Sequence, residues 1–226
     1  ALSAIEQDPA IWATISQPHL AFLQRCQRSH GLLTDDPGLP PNFTANGLAI
    51  CLLLSLPPSS RSATSIARIV DGIVTVKGLA VDLPDPRQDN RLQGWPWLPD
   101  TFSWVEPTSW CMLALKRARR TLPSPALDAR IREAEQLLVN RSCEPGGWNY
   151  GNASAVGQDL RPYVPTTALG LLAMQDRPDD PVVVRAVDHL AASRLKEASG
   201  FALSLAALAL RVAGRDAPDV EQRLAG

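Results

Sequence analysis

Aromatic residues make up only 5% of this 226-residue chain, histidine occurs three times, and the formal net charge is −1. A nearly balanced charge supplies no long-range attraction for a polyanion, so nucleic acid is not expected as a partner. Contact with a membrane surface through apolar side chains stays open. Long hydrophobic runs are also missing: the longest, Leu48 to Leu56, is about half of the ~20 residues that a spanning helix needs. Four cysteines, Cys26, Cys51, Cys111 and Cys143, show no CxxC pairing, and that pattern fits a reduced compartment and a cytoplasmic location. Ala1 to Asp8 lack the basic start and apolar stretch of a signal peptide, while the absence of an initiator Met leaves an upstream segment open. Phosphate-binding loops, dinucleotide fingerprints, HExxH, nucleophile elbows and Cys–His dyads are all missing. Neither a cofactor nor a metal is expected.

What the chain does have is internal repetition. At 45% hydrophobic and 20% charged it can bury a substantial core. Phe22-Leu23, then Gln27, then Gly31-Leu32-Leu33 is echoed by Leu137-Leu138, Ser142 and Gly146-Gly147-Trp148, and Gln93-Gly94-Trp95 keeps the end of the same pattern. After each comes a loop and a Thr-led apolar helix, at Phe43-Thr44-Ala45, Pro107-Thr108-Ser109 and Pro165-Thr166-Thr167. Self-similarity at this period predicts stacked helical hairpins, here one all-α domain with αα-hairpins at 10–56, 59–121, 125–176 and 180–213 and a fragment after Asp216. Ser59 or Ser60 is the expected cap of the second outgoing helix, Pro107 its partner helix's first residue, and Ile66, Ile69, Val70 and Ile73 a buried stripe. Residues 82–106, punctuated by Pro84, Pro86, Pro96 and Pro99, form a loop long enough to suggest function.

The Gly-Trp turns and the Phe-Leu-x3-Gln-x3-Gly spacing resemble the QW repeat of the squalene cyclase and protein prenyltransferase superfamily. That resemblance covers about residues 20–176 and extends more weakly to 213. It implies an αα-toroid around a central cavity, here partial or open, since four hairpins fall short of a closed ring. It also implies an isoprenoid or similar long apolar substrate, and an acid that starts the reaction. Squalene-type cyclases carry Asp-x-Asp-Asp-Thr-Ala at this point of a repeat. The matching segment here is Trp104-Val105-Glu106-Pro107-Thr108-Ser109, so Glu106 stands where the middle acid does, and Trp104 and Pro107 replace the acids beside it. The zinc ligands of the prenyltransferases find no counterpart: Glu106-x-Thr108 occupies the Asp-x-Cys position, and His19, His30 and His189 lie elsewhere.

The residues themselves leave alternatives beside that implication. Glu106 near a helix start is also explained, and more simply, by the helix dipole. Trp95 and Trp148 read as packing residues of the turns, with each indole N–H on a carbonyl. Trp97, Phe102, Trp104 and Tyr163 have no such repeat duty and are the candidates for a substrate pocket at the mouth of the array. Arg161, with Arg87 and Arg91, offers guanidinium groups for a diphosphate, or loop ion pairs with Asp85, Asp89, Asp100 and Asp159. The basic run Lys116, Arg117, Arg119 and Arg120 reads as a cluster at a helix C-terminus. The leading expectation is a terpene cyclase-like protein that binds or transforms an apolar chain. Its rival is a non-catalytic repeat scaffold for a protein or lipid, and a third reading has a second copy or another partner completing the ring.

Overall fold

The computed structural model describes residues 9–57, 61–82, 85, 87–155 and 157–225. The start at Ala1 to Asp8, the expected caps Ser59 and Ser60, and Pro84 and Pro86 lie outside that set. Among the described residues the protein is all-α apart from one small hairpin. In chain order the helices are α1 (Pro9–Cys26), α2 (Phe43–Ser55), α3 (Ala63–Thr75), α4 (Val105–Ala118), α5 (Pro125–Asn140), α6 (Val164–Ala173), α7 (Pro181–Ser193), α8 (Gly200–Val212) and α9 (Pro218–Ala225). Two short strands, β1 (Ser154–Ala155) and β2 (Gln158–Asp159), pair antiparallel in the loop before α6. Gly157, at φ +77°, makes the turn between them.

Helix starts follow local chemistry. Asn42, Ser62, Ser124, Asp180 and Ser199 each accept a hydrogen bond from a first-turn amide of the helix they cap, which satisfies a donor that the helix itself leaves open. α4 and α6 do without: their caps are Trp104 and Tyr163, which make no side-chain cap bond. This corrects the sequence expectation for α4, because the helix begins at Val105 and Pro107 is its third residue. A proline is tolerated throughout the first turn, where its missing N–H would have no helical partner in any case. The β-branched run after Gly72 keeps its helix only to Thr75, and the chain then extends to a single bridge between Leu79 and Phe102.

Alternate helices make one layer. α2 packs on α4, α4 on α6 and α6 on α8, while α3, α5 and α7 cover the outside of that row. The outer helices are amphipathic: α3 buries Ile66, Ile69, Val70 and Ile73, and α5 buries Leu127, Ile131, Ala134, Leu137 and Leu138, the 3,4 spacing of a helix with one inward face. Helices in the row have neighbours on most sides, and α6 is buried continuously from Thr166 to Ala173. Close approach of α2 and α4 depends on Gly47, where a Cβ would sit 2.9 Å from the backbone carbon of Trp110.

A corner is repeated at the start of the row helices. The backbone N–H of Leu33 donates to Asn46 Oδ1 (2.8 Å), that of Trp95 to Thr108 Oγ1 (3.0 Å) and that of Trp148 to Thr167 Oγ1 (3.0 Å). In the first copy the holding residue is therefore Asn46 rather than Thr44. A Cβ on Gly94 would lie 2.3 Å from Thr108 Oγ1 and one on Gly147 2.5 Å from Thr167 Oγ1, which is the physical reason for glycine before each tryptophan. Both indoles are fully buried. Trp95 Nε1 donates to the Ile73 carbonyl (2.9 Å) and Trp148 Nε1 to that of Leu138 (2.7 Å), so each ties its corner to the outer helix of its own hairpin. Consecutive hairpins are also stitched by main chain: Phe43 N–H donates to the Trp97 carbonyl (3.0 Å) and Val105 N–H to the Tyr150 carbonyl (2.8 Å).

Candidate functional site

Glu106 is the second residue of α4 and half-buried. Glu106, Trp110, Leu113 and Arg117 recur at helical spacing, so they share one side of α4. The last three line a cavity of about 670 Å³ on the open side of the row, together with Cys51 of α2, Leu172 of α6, and Leu205 and Leu208 of α8. All four row helices thus contribute to one wall, and Glu106 stands on the same side of α4 one turn nearer the helix start, outside the residues that line the cavity.

Burial pushes the Glu106 carboxyl above its ordinary 4.5, and a hydrogen bond from the Trp97 indole opposes the shift. No guanidinium, ammonium or second carboxyl contributes to it. Loss of solvation therefore outweighs both the indole donor and the amides of the helix start. A carboxyl whose folded pKa is raised adds stability below its ordinary pKa and loses it as pH rises toward the folded value. Wild-type protein should therefore lose stability relative to Glu106→Gln across that interval, read by urea unfolding of both proteins at about pH 4 and pH 7. A difference that stays constant between the two conditions would contradict the burial argument.

Trp97 is itself fixed. It stacks on Trp104 at 4.8 Å between ring centroids and 22° between planes, and faces Tyr150 at 6.4 Å; Tyr150 lies 5.3 Å from Tyr163. Four rings from two successive loops thus form a continuous row beside Glu106. Trp104 and Tyr163 do hold equivalent positions, contrary to the expectation that they lack a repeat role: both are helix caps whose N–H donates to a corner tryptophan carbonyl, Trp104 to Trp95 (3.0 Å) and Tyr163 to Trp148 (2.9 Å).

Of the residues singled out from sequence, Glu106, Trp97, Trp104 and Tyr163 come together, joined by Tyr150. Phe102 does not join them. Bridged to Leu79 and half-exposed, it lines a cavity of about 310 Å³ with Val81, Gln88, Leu92, Arg141 and Trp104, so Trp104 borders both this cavity and the ring row. Arg161 is exposed in the loop before α6, with no hydrogen bond, ion pair or ring contact from its side chain among the described residues. The other loop arginines are occupied, Arg87 with Asp159 (2.5 Å) and Arg91 with Asp89 (3.0 Å). The sequence reading placed the wall at Trp95 to Trp110, and its continuation from Leu113 to Arg117 went unread, although its signal was the i, i+4, i+7, i+11 spacing that starts at Glu106.

Among the described residues no group of His, Cys, Asp and Glu is arranged to hold a metal ion, and no helix is long and apolar enough to cross a membrane. All four cysteines are free thiols. Neither the protein-family models nor the curated proteins give a match to this chain.

Proposed function

We propose that the protein is an open αα-toroid segment of the terpenoid cyclase kind, which takes an isoprenoid or similar long apolar molecule on its concave face, with Glu106 as the acid. The observation that carries this reading is a half-buried carboxyl, raised by burial, beside an aromatic row, on the side of α4 whose later residues line the 670 Å³ hollow. A proton donor must hold its proton at the working pH, and its conjugate base must be tolerated once the proton has gone. Burial moves Glu106 toward the first condition, and the Trp97 indole N–H favours the second. In the step, the carboxyl proton moves to one carbon of an alkene, the π pair forms the new C–H bond, and the cation left on the other carbon faces the rings of Trp97 and Trp104. The free thiols fit a cytoplasmic location.

Incubation with squalene, farnesyl diphosphate and geranylgeranyl diphosphate, followed by product analysis, tests the proposal. Turnover of at least one of them by the wild type, reduced by roughly a hundredfold or more in Glu106→Gln, is the expected result. Equal product from both proteins would remove Glu106 from the chemistry.

The replacement of both acidic neighbours by Trp104 and Pro107 favours a second reading, in which the same surface is a scaffold and performs no chemistry. Binding of an apolar ligand without turnover by either protein would select it. Phe201, 67% exposed at the start of α8, marks the edge at which a further hairpin, a second copy or another partner would continue the row.

A further inference from the structure

We infer that the molecule held on the concave face is a single-chain amphiphile with an anionic head, seated with that head at Arg117 and Arg120 and its tail running along α4 toward Glu106. The inference rests on the reading above, that this face takes an apolar chain, and adds the charge and direction of the occupant.

The argument begins with which charges are already used. Four cations and one carboxylate line the 670 Å³ cavity: Lys116, Arg117, Arg119 and Arg120 against Asp176. Lys116 is saturated, at 2.7 Å from Glu135 and 2.5 Å from Asp176, and so takes the lone carboxylate with it. Arg119 has Asp128 at 3.5 Å. Arg117 donates only to neutral groups, the Ser55 hydroxyl at 3.0 Å and the Cys51 sulfur. Arg120 has no carboxylate partner among the described residues. Two guanidinium groups are thus left at one end of the hollow with nothing of opposite charge, in a chain whose acids and bases are otherwise almost equal in number. Planar guanidinium groups match carboxylate and phosphate oxygens in pairs.

Apart from Gln175, the rest of the lining is apolar. Trp110 and Leu113 on α4, Leu172 on α6 and Leu208 on α8 form a wall with no free charge between the arginines and the level of Glu106. Arg117 and Glu106 are eleven residues apart on one helix, about 16 Å along its axis, the reach of an extended chain on the order of a dozen carbons. A head of positive charge would meet the two arginines in repulsion. An uncharged head would leave them as they are and gain nothing there. The opposite placement, with the head at the loop rim, finds Arg87 and Arg91 already paired and offers Arg161 alone, against the two guanidinium groups of Arg117 and Arg120.

Calorimetric titration with dodecanoate, dodecanol and dodecyltrimethylammonium, each below its micellar concentration, tests this on the wild type and on the Arg117→Gln/Arg120→Gln double variant. Dodecanoate should bind the wild type most tightly, lose roughly tenfold or more in the double variant, and slow alkylation of Cys51, the half-buried thiol on that wall. Dodecanol should bind both proteins equally and more weakly. Equal affinity for dodecanoate and dodecanol in both proteins, with Cys51 still protected, would overturn the inference and leave the apolar-chain reading standing. Dodecanoate binding without protection of Cys51 would overturn the inference by placing the ligand elsewhere. Absence of binding by all three would bring down both.

Discussion

Trp148→Ala should lower the free energy of unfolding by about 3–5 kcal/mol, the range for truncating a large ring in a packed core. The ring is fully buried, and its indole N–H is the bond from the third corner to the Leu138 carbonyl, at 2.7 Å. Its six-membered edge rests on Gly170 so closely that a Cβ there would come within 2.5 Å of it. Truncation therefore opens a cavity between α5 and α6 and strands a carbonyl. Trp148→Phe separates the two effects, because it keeps most of the packing and loses the donor; about 1–2 kcal/mol is expected from it. Urea unfolding at constant m-value reads both. A loss below about 1 kcal/mol for the alanine variant would mean that the corner does not hold the hairpin together.

The second large effect belongs to Arg130, a buried cation on α5. Its guanidinium donates to the carbonyls of Gln93 (3.2 Å), Val76 (2.9 Å) and Gly94 (3.1 Å) and to Glu133 (2.6 Å), and lies 4.1 Å over the Trp95 ring. Burial draws its pKa down and Glu133 resists, yet a guanidinium stays charged at any physiological pH. Arg130→Met fills the volume of the stem and removes every donor, leaving three carbonyls and a carboxylate without it; about 3–5 kcal/mol should be lost. Arg130→Lys should recover little, since one ammonium cannot reach the three separated carbonyls. Arg68 provides the internal comparison. It stands at the matching place on α3 and donates to the carbonyls of Arg28 and Ser29 at 3.0 and 3.1 Å, but in solvent, so Arg68→Met should cost about 1 kcal/mol or less. Similar losses at both positions, measured by the same unfolding experiment, would contradict the weight placed on burial.

The helices were legible because their signals are local. Buried positions in α3 recur at three and four residues, and α5 and α7 announce themselves by Ser124-Pro125 and Asp180-Pro181. The corners were legible because glycine beside tryptophan is a steric demand made by one threonine. What escaped depends on contacts between distant segments. The run from Lys116 to Arg120 looked like a uniform charge cluster, and only Glu135 and Asp176, brought in from two other elements, show which cations are taken. The full ring row escaped for the same reason. Phe102 sits near Trp104 in sequence but is drawn off by its bridge to Leu79, whereas Tyr150 arrives from the next loop to stand between Trp97 and Tyr163. Glu106 was found by resemblance, but its solvation, on which any acid role depends, is set by a fold that the surrounding residues do not disclose individually.

The main-chain bonds from Phe43 to Trp97 and from Val105 to Tyr150 give the molecule a direction in time. As the polypeptide leaves the ribosome, the first two hairpins can coil and close on themselves, but the first amide of α2 and of α4 stays unclaimed until the following loop has been synthesised. Maturation therefore lags translation by one unit, and a nascent chain stalled midway would carry a finished beginning and a provisional last step.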